Sequence, residues 1–162
     1  PSRSRKLKEN LGRLRLDPLV TIVDGALASL LPRHAESFHN VLVDAPCSGL
    51  GVIRRHPDIR WNRNAADLRR YQAKQLQILD TAARLVAEQG ILVYATCSTE
   101  PEENEVVVEK FLAGHPGFSL ADCRETLPGP AKNLADSSGF FRTLPGPGGL
   151  DGFFAARIIK KQ

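Results

Sequence analysis

An open α/β fold built around a parallel sheet is what the sequence predicts, and three observations predict it. Short apolar runs alternate with stretches of helical periodicity. Three of those runs, Val20-Thr21-Ile22-Val23, Val41-Leu42-Val43 and Ile91-Leu92-Val93-Tyr94-Ala95, stop abruptly at polar residues. Buried parallel strands read this way where they deliver their last side chains to the carboxyl edge of a sheet. Finally, two runs lead into cysteines at matching places, in Asp44-Ala45-Pro46-Cys47 and in Thr96-Cys97-Ser98. Open α/β sheets bind ligands at that edge, so both thiols are expected in one crevice.

The elements follow in chain order. Leu7, Leu11 and Leu14 form the stripe of a basic amphipathic helix, which leads into a strand over Val20–Val23 that ends on Asp24. A looser segment containing Pro32 reaches the second strand, closed by Asp44. After an irregular arginine-rich stretch, Asn64 is a good N-cap with Asp67 at N3, and Leu76, Leu79, Ala83 and Val86 continue at helical spacing until Gly90 stops the helix. The third strand, Ile91–Ala95, follows at once. Thr99 and Glu102 have the spacing of a capping box. The acids of Pro101-Glu102-Glu103-Asn104-Glu105 would then sit on the positive end of a helix running to about Gly114-His115-Pro116. Past Pro128 the chain reads as loose, until Phe140–Leu144 and Phe153–Ile159 pair as an antiparallel hairpin.

With 162 residues, 42% of them apolar, the chain can bury a core, and residues 1–162 are expected to form a single domain. It contains neither a long uninterrupted apolar run nor a charged-then-apolar leader, so a soluble, cytoplasmic protein without membrane association is expected. Three cysteines without a C-x-x-C pair fit a reducing compartment, and Cys123 alone reads as a small buried hydrophobe. The four histidines lack ligand spacing, and no metal site is expected. The net charge of +4 is unevenly placed. Arg3, Arg5, Lys6, Lys8, Arg13 and Arg15 crowd the start of the chain; Arg54, Arg55, Arg60, Arg63, Arg69, Arg70 and Lys74 face only Asp58 and Asp67. Such clusters suit nucleic-acid phosphates.

Four segments together resemble the NOP/Sun family of RNA cytosine-5 methyltransferases, specifically its bacterial ribosomal members. They are Asp44-Ala45-Pro46-Cys47-Ser48-Gly49, Arg54-Arg55-His56-Pro57-Asp58-Ile59-Arg60-Trp61, Tyr94-Ala95-Thr96-Cys97-Ser98 with Pro101-Glu102-Glu103-Asn104-Glu105, and Asp151-Gly152-Phe153-Phe154. The resemblance implies a Rossmann-like, S-adenosylmethionine-dependent methyltransferase fold, incomplete at its N-terminal side and ending in the hairpin. It implies methylation of carbon 5 of cytosine in small-subunit ribosomal RNA. Carbon 5 is a poor nucleophile, and a thiolate adding at carbon 6 makes it electron-rich enough to accept a methyl group. In the family the cysteine of the Thr-Cys-Ser motif is that nucleophile, matching Cys97. The cysteine of the Pro-Cys motif helps remove the carbon 5 proton, matching Cys47. Asp44 would meet the base edge, Asp24, Asp44 and Pro46 would line the cofactor site, and Arg54, Arg55 and Arg60 would flank the RNA path. A target cytosine must leave its stack to reach such a site.

The sequence departs from the family pattern in one respect. No glycine-rich strand-to-helix turn precedes Asp24, and no earlier strand supplies the acid that holds ribose hydroxyls. The chain is therefore expected to be the C-terminal portion of a catalytic domain, inactive in isolation and weak in cofactor binding. Two other readings stay open. Cys47 would be the nucleophile if the chemistry followed DNA cytosine-5 methyltransferases, whose cysteine also follows a proline. A non-catalytic RNA-binding module would need only the basic clusters, with both thiols as core residues.

Overall fold

The computed structural model describes residues 2–16, 31–147 and 149–162. The expected strand Val20–Val23 and Asp24 lie outside the described residues. Helix α1 spans Ser2–Arg13 and a short α2 spans Leu31–His34. Then come β1 (Phe38–Asp44), α3 (Ala65–Ala83), β2 (Val86–Thr96), α4 (Glu105–Gly114), β3 (Phe118–Ala121), β4 (Phe141–Thr143) and β5 (Phe153–Lys160).

The two strands that end near the cysteines are parallel neighbours, with Asn40–Asp44 opposite Ile91–Ala95 residue for residue. β5 runs antiparallel along the other side of β2, placing Phe154 opposite Thr96 and Ile159 opposite Ile91. β4 and β3 share the outer edge of β5, end to end, so the sheet order is β1-β2-β5-β3 with β4 beside β5. The expected terminal hairpin is present. It is also more than a hairpin, because β5 is a central strand whose alternate residues Phe154, Ala156 and Ile158 are buried.

Period-two alternation puts Val43, Leu92, Tyr94, Phe154, Ala156 and Ile158 on one sheet face, where they meet Leu79, Ala82 and Ala83 of α3 and Val107, Val108 and Phe111 of α4. The opposite face shows Leu42 at 71% exposure. α3 starts as expected. Asn64 Oδ1 accepts from the amides of Ala66 and Asp67, and Asp67 Oδ2 accepts from the Asn64 amide at 3.0 Å. Cys123 is buried, as its apolar reading requires.

Three expectations need correction. Gly90 does not end α3, which stops at Ala83; Val86 already belongs to β2. The pairing passes from Phe38 opposite Val86 to Asn40 opposite Ile91, so β2 carries residues 87–90 as an excursion, with Gln89 at φ 60°. Gly90 sits on that excursion, where a Cβ would come within 2.7 Å of the Ala87 carbonyl oxygen. The Thr99–Glu102 capping box is not formed either. A single helical turn over Pro101–Glu103 intervenes, and the Thr99 hydroxyl donates instead to Glu100 at 3.1 Å. Lastly, β3 was not expected, since four residues carry too little alternation to stand out.

Backbone contacts tie the loop after β1 to the loop after β2 and to the start of β5. The Gly51 amide donates to the Cys97 carbonyl at 3.0 Å, and the Gly152 amide donates to the Gly51 carbonyl at 2.7 Å. A Cβ on Gly51 would lie 2.1 Å from the Gly152 oxygen and 2.9 Å from the Cys97 oxygen. Only glycine permits this approach. Gly51→Ala should therefore cost about 1–3 kcal/mol of stability in urea unfolding. Gly117→Ala, whose added Cβ meets nothing within 4 Å, should stay within ~0.5 kcal/mol of the parent.

Candidate active site

Where β1 and β2 leave the sheet, their pairing continues for one more residue, the Ala45 amide donating to the Ala95 carbonyl at 2.9 Å. Both chains then turn in step. Two residues further along each of them, the Cys47 and Cys97 sulfurs lie 3.3 Å apart, half-buried and unbridged. The expectation that the two thiols come together at the carboxyl edge is met.

Each cysteine is followed by a buried serine, and one carboxylate holds both. Glu103 Oε1 accepts from the Ser48 amide at 2.8 Å and from Gln75 Nε2 at 3.1 Å. Its Oε2 accepts from the Ser48 hydroxyl at 2.5 Å and the Ser98 hydroxyl at 2.6 Å. Glu103 is 0% exposed, as is Gln75. Four donors on two oxygens satisfy an ionised carboxylate without water. Gln75, on α3, also donates to the Pro46 carbonyl at 3.0 Å. The Tyr94 hydroxyl donates to the Glu103 backbone carbonyl at 2.6 Å, and burial, followed by the nearby Glu103 charge, keeps that phenol well above its ordinary pKa. Asn104 completes the frame by accepting from Thr96 Oγ1 at 2.6 Å and donating to the Ser98 carbonyl at 3.0 Å.

The acids of Pro101–Glu105 are thus not simply gathered on the positive end of α4, which starts at Glu105. Glu103 and Asn104 point inward, and Glu105 pairs with Arg142. Nothing in Pro101–Glu105 itself distinguishes the buried acid from its neighbours. The signal that could have found it is the pair of serines, Ser48 and Ser98, at the same offset behind both cysteines.

The two thiols are not equivalent. The hydrogen bond with Cys47 holds the Cys97 thiol down to about 7, against desolvation and the charge of Asp44, which push it up. The same bond pushes the Cys47 thiol far up, and burial adds to the effect. The contact thus favours ionisation at Cys97 over Cys47.

Asp44 is exposed at the end of β1, and Pro46 is half-buried between it and Cys47. Asp24 lies outside the described residues. Arg54 and Arg55 project from the loop after β1 and both reach Asp151, whose side chain is 4% exposed; Arg55 Nε is 2.6 Å from Asp151 Oδ2 and Arg54 is 3.6 Å from Oδ1. Arg60 is exposed. Asp151, missed as a site residue in the sequence, fixes the arginine loop against the β4–β5 connection. A depression of about 340 Å³ lined by Glu36, Arg84, His115 and Lys160 lies at the other end of the strands, away from the thiols.

Comparison with known proteins gives one consistent result. The family described as 16S rRNA methyltransferase RsmB/F matches residues 1–159. The chain is 40% identical over 159 residues to ribosomal RNA small subunit methyltransferase B of Yersinia pseudotuberculosis, covering 98% of this chain and 34% of that protein. It thus spans about a third of the length of the curated relatives it matches. Among solved structures, the protein PH0851 superposes with a TM-score of 0.82 at 32% identity, over 98% of this chain and 35% of the other. NSun6 from Pyrococcus horikoshii with SFG superposes at 0.70 and 27% identity, over 99% and 39%.

Two outcomes are expected from the thiol frame. Alkylation of Cys97, followed by mass spectrometry, should rise as pH climbs through about 7 and vanish below it, since only the thiolate attacks. In Cys47→Ala the midpoint should move up toward ~8.5, the value of an unassisted thiol. Glu103→Gln turns an amide N–H toward donors that need an acceptor, and should cost about 1–3 kcal/mol in urea unfolding.

Proposed function

The chain belongs to the RsmB/F family of 16S rRNA methyltransferases, and on that premise we propose that its two thiols methylate carbon 5 of cytosine in small-subunit ribosomal RNA. The observation that carries the reading is the 3.3 Å approach of Cys47 and Cys97, with the Cys97 thiol held the lower of the two. Cys97 is the nucleophile. Its sulfur adds to carbon 6 of an unstacked cytosine, and electron density moves to carbon 5. Asp44, exposed beside the crevice, meets the base edge and steadies the proton that the ring takes up at nitrogen 3.

The hydrogen bond that raises Cys47 has a mechanistic consequence. While Cys97 is a thiolate, Cys47 keeps its proton. Once Cys97 is bonded to carbon 6 it no longer carries that charge, the main cause of the raised Cys47 value disappears, and Cys47 can ionise. After carbon 5 has accepted the methyl group, the Cys47 thiolate takes the proton from carbon 5, the electron pair re-forms the bond between carbons 5 and 6, and Cys97 leaves carbon 6 as a thiolate.

S-adenosylmethionine supplies an electrophilic methyl group when bound. Asp44 and Pro46 would face it at the carboxyl edge, with Asp24 as the further acid. The residues fit this role, because the exposed Asp44 carboxylate makes no side-chain hydrogen bond among the described residues and is available to a polar ligand. The SFG in the NSun6 structure, an S-adenosylmethionine analogue, supports the choice. Arg54 and Arg55, braced by Asp151, and Arg60 would contact RNA phosphates. A cytoplasmic location follows from a ribosomal substrate. Among the described residues no helix is long and apolar enough to cross a membrane.

The test uses the protein that carries this sequence, with ribosomal RNA and S-adenosylmethionine on a denaturing gel. Cys97→Ala should abolish methylation and covalent RNA capture. Cys47→Ala should accumulate a protein–RNA adduct, since the nucleophile is intact and the carbon 5 proton stays. The reverse pattern would assign the nucleophile to Cys47. An absence of adduct and of methyl transfer from every form, with RNA still bound, would leave a binding module.

A further inference from the structure

We infer that Trp61 is a stacking platform for an unpaired RNA base beside the cytosine that the thiols engage. The inference rests on RNA being the substrate. Trp61 is the chain's single tryptophan and stands 84% exposed, the most exposed of the large apolar side chains among the described residues. An indole left in water forfeits a large burial gain and calls for a partner.

This side chain is held in place on both flanks. The turn Pro57–Arg60 precedes it, and the Trp61 amide donates to the Asp58 carbonyl at 3.1 Å. On one side Ile59 Cδ1 packs against Gly49, 3.0 Å from where a Cβ would be. On the other, Arg63 Nε donates to the Ser48 carbonyl at 3.0 Å, and its guanidinium lies over the Tyr71 ring at 5.6 Å. Both anchors land on Ser48 and Gly49, the residues that follow Cys47. The backbone is thus fastened to the catalytic loop while the indole itself is left uncovered.

Charge identifies the partner. Arg54, Arg55, Arg60, Arg69 and Arg70 are exposed around this segment, with Asp58 as the exposed acid. Exposed arginines on the same stretch as an exposed aromatic suit a polyanion that carries flat bases: the arginines take phosphates and the ring takes the face of a base. An apolar protein surface would not favour those charges. Every base has a face, so the contact adds affinity and positions the strand without selecting a sequence.

The single tryptophan makes the test direct. The chain is titrated with an end-labelled single-stranded RNA oligonucleotide, reading label anisotropy for binding and indole emission for stacking. Emission should be quenched in parallel with the anisotropy rise. Trp61→Ala should bind about tenfold or more weakly, with Trp61→Phe recovering most of the loss. A fully paired duplex should bind without the quench. Binding with unchanged indole emission, equal affinity in Trp61→Ala, or equal quenching by the duplex would each overturn the inference and leave the RNA reading standing. No binding of any RNA would overturn both.

Discussion

One buried carboxylate decides the geometry of this site. Glu103 receives the amide and hydroxyl of Ser48 and the hydroxyl of Ser98, and so joins the loop after β1 to the loop after β2, 55 and 5 residues away in sequence. Parallel strands alone would bring the two loops to the same edge. They would not fix two sulfurs at a separation where one proton can serve both. The cost of burying a charge is met here by four hydrogen bonds, with Gln75 as the fourth donor. Removing any member leaves a buried donor or acceptor without a partner, so the frame holds as a unit.

From that frame the chemical asymmetry follows. The two sulfurs share one hydrogen bond, and their acidities move apart for that one reason, Cys97 down and Cys47 up. A pair of titratable groups driven apart by their own contact is a common way to obtain a nucleophile and a later base from like side chains. The glycine contact of Gly51 with Gly152 and the ion pairs of Asp151 extend the frame outward, to the arginine loop and the start of β5. This gives a physical role to the Asp151-Gly152 pair, which in the sequence is only part of a motif.

Much of this was legible in the sequence where the information is local or periodic. The apolar runs before Asp44 and Thr96 located β1 and β2, their endings placed Cys47 and Cys97 together, and Asn64 with Asp67 marked the start of α3. What was hidden depends on contacts across the chain. Glu103 looks like any acid of the run Glu100–Glu105 until Ser48, far earlier in the chain, is brought to it. Val86 fits the helical spacing of Leu79 and Ala83 equally well. It becomes a strand residue because β1 offers it backbone partners, with residues 87–90 looped out to restore register. β3 has four residues and draws its pairing from β5.

The central claim, that one carboxylate couples the two cysteine loops, is tested most directly by a double-mutant cycle on Ser48→Ala and Ser98→Ala, followed by urea unfolding of the chain. Side chains that share Glu103 as a unit should show a coupling energy of about 1 kcal/mol or more, whereas effects that add to within ~0.5 kcal/mol would mean that the loops are held independently and would contradict the account.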